Sequence, residues 1–138
     1  MPIIIDGWNF IRDRRSPLID DDGDSLRSAY SLISHLEEFR RTHKDPIVLV
    51  FDSSHEYMDI DYKNNKGLTI IPSKDADDYI KRYIGRTPER QRRNLRVVSS
   101  DNSIYFYAKS SYATPVKCAD FWAKLRRGEI DRRGGEDV

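Results

Sequence analysis

Two short apolar runs, Ile3-Ile4-Ile5 and Ile47-Val48-Leu49-Val50-Phe51, each end at an aspartate, Asp6 and Asp52. A strand with one wet face alternates apolar and polar residues. These runs do not alternate, so both of their faces must be covered. Strands of that kind belong to sheets with helices packed on each side, and few other folds can use them. Asp6 is followed at once by Gly7, which permits a sharp exit from the strand.

The rest of the chain supplies the helices and further strands. Asp20-Asp21-Asp22-Gly23-Asp24 reads as a polar loop, with Asp24 or Ser25 capping a helix over about Leu26–Thr42. Its apolar positions Leu26, Ala29, Tyr30, Ile33, Leu36 and Phe39 recur at helical spacing. Ser53 to Lys66 reads as an irregular loop or hairpin. Leu68-Thr69-Ile70-Ile71 is a third strand closed by Pro72. A helix capped by Ser73 or Asp75 then runs to about Ile84, and an arginine-rich connection over residues 85–94 includes a helical turn after Pro88. Leu95–Ser99 forms a fourth strand, a helix follows Asp101 through Ile104, Phe106, Tyr107 and Ala108, and Pro115–Cys118 forms a fifth strand. A final helix spans Ala119–Arg127. One domain over residues 1–128, with a frayed polar tail over 129–138, accounts for 138 residues. Strands alternating with helices make an α/β sandwich with a mainly parallel sheet, whose ligands bind outside the carboxyl ends of the strands.

The aspartates fall at that edge. Asp6, Asp52 and Asp101 follow strands, and Asp75, Asp77 and Asp78 occupy the first turn of a helix that starts there. A lone strand-end aspartate caps a helix or forms a turn. Several at one edge repel one another unless a cation joins them. Carboxylate oxygens suit Mg²⁺ or Mn²⁺, and such ions acidify water and offset charge in phosphodiester cleavage.

Ile3-Ile4-Ile5-Asp6-Gly7-Trp8-Asn9, Val50-Phe51-Asp52, Ala76-Asp77-Asp78-Tyr79-Ile80, Val97-Val98-Ser99-Ser100-Asp101, Ala108 and Val116-Lys117-Cys118-Ala119-Asp120-Phe121 occur in an order that resembles the NYN branch of the PIN-like nucleases, in particular the YacP-like NYN proteins. Trp8 replaces the tyrosine of the Asp-Gly-Tyr-Asn pattern, and Tyr105 stands where some relatives carry a further acid. The resemblance implies a PIN-like three-layer sandwich with about five strands, and a divalent-metal-dependent ribonuclease. It implies Asp6, Asp77 or Asp78, and Asp101 as metal ligands, with Asn9 beside the metal or holding the scissile phosphate. Asp52, Asp75 and Ser100 are expected to support them from behind. Helical periodicity discriminates between the paired acids. Ala76, Ile80, Tyr83 and Ile84 mark the buried face, so Asp77 flanks it and Asp78 points nearly opposite. Asp77 is therefore expected as the direct ligand and Asp78 as an outer or second-metal group.

Lys81 to Arg96 holds seven basic residues and one acid, so Arg86, Arg90, Arg92 and Arg93 are expected to line a path for an RNA backbone, with Arg12, Arg14 and Arg15 nearer the site. Trp8, Phe10, Tyr57 or Tyr62 could stack on bases. The expected partner is single-stranded RNA, with mRNA and ribosome-associated RNA as open alternatives. Formal net charge is only +1, so any attraction for RNA must be local.

The same residues exclude other classes. There is no glycine-rich phosphate loop, no Asp-x-Asp after the first strand and no acidic pair as in a phospho-receiver. Asp20–Asp24 lacks EF-hand spacing. His35, His43 and His55 lack ligand spacing, and the single cysteine, Cys118, reads as a small buried hydrophobe. No apolar run approaches the roughly 20 residues of a membrane helix, and a cytoplasmic location is expected. The rival reading is a PIN-like module that binds RNA with weak catalysis or none.

Overall fold

A computed structural model describes residues 2–18, 25–53 and 67–136, with side chains placed to residue 127. The Asp20–Asp24 loop, Tyr57, Tyr62, His55 and most of the expected loop or hairpin lie outside the described residues.

Five strands, β1 (Ile3–Asp6), β2 (Ile47–Asp52), β3 (Leu68–Ser73), β4 (Arg96–Val98) and β5 (Thr114–Val116), form one sheet in the order β3-β2-β1-β4-β5. Every neighbouring pair is parallel. β1 is central because it can be: Ile3, Ile4 and Ile5 are all fully buried. Side chains alternate across a strand, so Ile3 and Ile5 enter one core and Ile4 the other. The first core packs Leu49 and Phe51 against α2 (Ser25–Arg40) and α6 (Cys118–Glu136) through Leu32, Leu36, Phe121 and Trp122. The second packs Val50 and Val97 against α3 (Ala76–Arg86) and α5 (Asn102–Ser110) through Ile80, Ile84, Ile104 and Ala108. Two short helices, α1 (Gly7–Ile11) and α4 (Glu89–Arg92), complete the chain. This is the three-layer α/β architecture expected from the sequence.

The differences are local and have physical causes. β3 runs through Pro72, which lies opposite Phe51. As an edge strand it tolerates a residue without an N–H. In α2 the buried stripe is Ala29, Leu32, Ile33, Leu36 and Phe39, whereas Leu26 and Tyr30 remain about 40% exposed. β5 starts at Thr114, and Cys118 opens α6 instead of closing the strand. α6 continues past Gly128 to Glu136, where a frayed tail was expected. Each glycine there costs a helix only about 1 kcal/mol and does not break it.

The turn after Asp6 is a helix, α1, and Gly7 is not in the left-handed region. Its requirement is space. A Cβ on Gly7 would sit 2.6 Å from the Phe51 ring and 2.9 Å from the Val50 carbonyl. Helix propensity alone would make Gly7→Ala stabilising by up to about 1 kcal/mol. The close approach predicts the opposite sign, a loss of about 1–3 kcal/mol in chemical denaturation, as the Phe51 ring is pushed from its place. A gain in stability would contradict this packing.

Candidate active site at the carboxyl edge of the sheet

β1, β2 and β4 all end at one edge, and the strand order reverses between β1 and β4. Ligand crevices of parallel sheets form at such a reversal. A pocket of about 280 Å³ opens there, lined by Asp6, Trp8, Arg12, Asp52, Ala76, Asp77, Asp101 and Ile104. Four separate segments each contribute one aspartate.

Asp6 is the most confined of them. Its carboxyl is pushed from the ordinary 3.8 up to about 6, first by burial and then by the nearby charges of Asp101, Asp77 and Asp52. The Asn9 backbone N–H partly offsets this without meeting strict hydrogen-bond geometry. Asp52 closes β2, and its carbonyl accepts the Trp8 indole N–H at 2.9 Å. Asp101 caps α5: its Oδ1 accepts the Ile104 N–H at 3.2 Å. Capping occupies one oxygen, and a carboxylate has two, so the cap and the pocket share this residue.

The two helix acids separate. Asp77 lines the pocket and pairs with Lys81 at 2.9 Å. Lys81 in turn donates to Ser103 Oγ at 2.7 Å, and its ammonium is held above its ordinary pKa chiefly by the Asp77 hydrogen bond. Asp78 does not line the pocket and pairs with Arg82 at 2.9 Å in solvent. Asp75 caps α3 by accepting the Asp78 N–H at 3.0 Å.

Asn9 is not among the residues lining the pocket. Its Oδ1 accepts the Ser100 N–H at 2.7 Å, the Ser99 hydroxyl at 3.3 Å and the Cys118 thiol at 3.3 Å. Ser99 Oγ also accepts the Asp101 N–H at 3.1 Å. Asn9 therefore ties α1 to the β4 exit and to the start of α6, and so positions Asp101. Ser100 sits in the same clasp, with its hydroxyl donating to Asp13 at 3.2 Å. Burial pushes the Cys118 thiol up to about 11, so it is a poor nucleophile at neutral pH. Asp13 and Lys81 were not singled out as site residues. The i,i+4 spacing of Asp77 and Lys81 was the available signal for the second.

The basic residues divide by edge. Arg12 lies at the pocket, its guanidinium 5.4 Å from the Trp8 ring centre. Arg14 is exposed in the loop after α1. Arg86, Arg90, Arg92 and Arg93 lie at the other end of the sheet. α3 runs back from the site, so Arg86 is about 14 Å from Asp77 along the axis. Arg86 shares a groove with Pro2, which precedes β1, and Arg93 shares one with Arg96 and Thr114, which begin β4 and β5. Arg92 is spent internally: it donates to the carbonyls of Thr87 at 2.8 Å and Gly85 at 3.2 Å, partnering the last turn of α3. These four do not reach the pocket. Trp8 is only 8% exposed and packs on Phe51, and Phe10 is fully buried and stacked on Trp122 at 4.1 Å. Phe10 is a core residue, not a base platform.

Asp6 makes stability depend on pH in a definite direction. The folded chain keeps that proton to about pH 6, whereas the unfolded chain releases it near 3.8. Between these values the folded state binds more protons, so stability falls as pH rises through the window. Asp6→Asn removes the penalty. In EDTA near pH 7.5 the variant is expected to be more stable by roughly 2–3 kcal/mol, and below about pH 4 the two proteins should converge. Equal stability at pH 7.5 would show that the Asp6 charge is not penalised.

The YacP-like NYN domain model matches residues 3–134. Two solved structures share the fold: Rae1 (YacP) from Bacillus subtilis, with a TM-score of 0.77 at 19% identity, covering 99% of this chain and 80% of that one, and its W164L mutant, with a TM-score of 0.75 at 20% identity, covering 96% and 80%. No curated protein gave a significant match. The matched span takes in β1 with Asp6, α3 with Asp77 and the β4 exit with Asp101, and it makes the chain a member of the YacP-like NYN domain family, with that family's nuclease-type fold.

Proposed function

We propose that the chain is a divalent-metal-dependent endoribonuclease that hydrolyses single-stranded RNA in the pocket of Asp6, Asp52, Asp77 and Asp101. The observation that carries this reading is the convergence of Asp6, Asp52, Asp77 and Asp101, from four separate segments, on one pocket at the carboxyl edge of the sheet. The donors are hard oxygens, which fit Mg²⁺ or Mn²⁺. Among the described residues, no three His, Cys, Asp or Glu side chains already form a ligand cage. Mg²⁺ does not demand one, because it keeps several waters and is commonly held by one or two carboxylates.

Asp6, Asp77 and Asp101 would hold the ion, with Asp52 adding to the negative field. Bound there, a divalent cation supplies the charge that acidifies water and offsets the phosphodiester. The chain's own groups do the rest. Without a cation Asp6 keeps its proton to about pH 6, so an ion binding there would displace that proton. Arg12, which lines the pocket beside Trp8, would meet a phosphate oxygen, and Trp8 would wall off one side. Lys81 neutralises Asp77 in the absence of a cation and must yield when one binds. The choice of RNA rests on family membership.

Cleavage of a mixed single-stranded RNA should occur with Mn²⁺ or Mg²⁺, stop in EDTA and leave 5′-phosphate and 3′-hydroxyl ends. Activity that survives chelation, or cyclic phosphate ends, would contradict the proposal. The open spacing of the carboxylates favours one rival, an RNA-binding module without catalysis. It predicts RNA binding with no cleavage under any metal.

Side-chain substitutions separate structure from chemistry. Asp77→Asn should cut activity by at least about 100-fold, more than loss of an outer metal partner usually costs, and Asp78→Asn should have little effect. Asp101→Asn should keep the α5 cap, because asparagine caps as well as aspartate, whereas Asp101→Ala should lose about 1 kcal/mol of stability. Both should abolish cleavage. Activity in a well-folded Asp101→Asn would remove Asp101 from the site.

A further inference from the structure

Residues 81–117 hold nine Lys or Arg and two acids, Glu89 and Asp101, in a chain whose formal net charge is only +1. Asp77 and Asp78 at the start of α3 pair with Lys81 and Arg82, and Arg96 pairs with Asp45, so the exposed cations that give the face of α3, α4 and α5 its positive charge are chiefly Arg86, Arg90, Arg93 and Lys109. The same face exposes large aromatics. Phe106 is 61% exposed, Tyr107 38% and Tyr112 68%. The two sets interleave. Lys81 lies 5.9 Å from the Tyr107 ring centre, and Tyr107 reaches over α3 at Gly85, beside the exposed Arg86. The Thr114 hydroxyl, two residues beyond Tyr112, donates to the Arg93 carbonyl at 2.6 Å.

We propose that this face is a track for single-stranded RNA, running from the pocket along α5 to the far edge of the sheet. The inference rests on the reading of the protein as an RNA-acting one and adds a binding surface separate from the aspartates. Cationic side chains interleaved with exposed rings are the chemistry of sequence-tolerant single-strand binding: the cations follow the phosphates and each ring takes a base. Two observations select that occupant. The charge complements a polyanion, and the face is continuous with the pocket, because Asp101 and Ile104 at the start of α5 line it. Arg86, Arg90 and Arg93, which do not reach the aspartates, thereby acquire a role: they hold the strand beyond the cleavage point.

A fluorescein-labelled 15-nucleotide single-stranded RNA of mixed sequence, titrated in EDTA at several salt concentrations, tests the track without cleavage. Phe106→Ala with Tyr112→Ala should weaken binding at least about fivefold, the equivalent of about 1 kcal/mol for one stacked base, with the salt slope unchanged. Arg86→Ala with Arg93→Ala should reduce the salt slope by about 1.4, two phosphate contacts at about 0.7 each. All four residues are exposed, so the melting curves should match wild type. If wild type cleaves RNA but both double variants bind it like wild type, the track is wrong and the nuclease reading stands. A wild type that neither binds nor cuts RNA overturns both. Self-association that only the aromatic variant loses, with RNA binding intact, identifies a second copy of the chain as the occupant and overturns the track.

Discussion

A carboxyl buried at the end of a strand covered on both faces, with like charges crowded beside it, governs this site. Ile3, Ile4 and Ile5 hold β1 at the centre of the sheet, so Asp6 cannot retreat into solvent. Three more carboxylates reach the same pocket from β2, α3 and the β4 exit. Repulsion of this kind costs stability and is retained only where something else requires it. The fold arranges its neighbours around that cost. Lys81 neutralises Asp77, and the Ile104 amide of α5 engages one oxygen of Asp101.

A second layer of organisation lies behind the pocket. Three donors converge on Asn9 Oδ1 and join α1, the β4 exit and the start of α6. α1 can approach closely only because Gly7 has no Cβ to meet Phe51. Asp6, Gly7 and Asn9 are thus three parts of one device: a charge, the clearance beside it, and the clasp that sets Asp101 opposite.

What was legible in the sequence followed from periodicity. Ile3–Ile5 and Ile47–Phe51 read as covered strands, and the stripe of Ala76, Ile80 and Ile84 put Asp77 beside the core and Asp78 away from it. What was not legible depends on direction in three dimensions. The arginines after Ile84 follow Asp77 closely in sequence, yet α3 runs antiparallel to the strands and carries them to the far edge. Phe10 and Asn9 stand near Asp6 in sequence, but their orientation is set by α1, which a strand-glycine-turn reading does not contain. Phe10 consequently stacks on Trp122 in the core, and Asn9 spends its carbonyl on Ser99, Ser100 and Cys118. Asp101 was readable as a cap or as a ligand, and the cap is formed while the residue still lines the pocket.

The central claim is that four aspartates act as one electrostatic unit that is incomplete without a cation. A carbon-13 NMR titration of the Asp6 carboxyl, in EDTA and then in Mg²⁺, measures this directly. The account predicts a midpoint near 6 without metal, moving down when Mg²⁺ is added and also when Asp77 or Asp101 is replaced by asparagine. A midpoint at the ordinary 3.8, or one near 6 that neither Mg²⁺ nor these substitutions move, would contradict it.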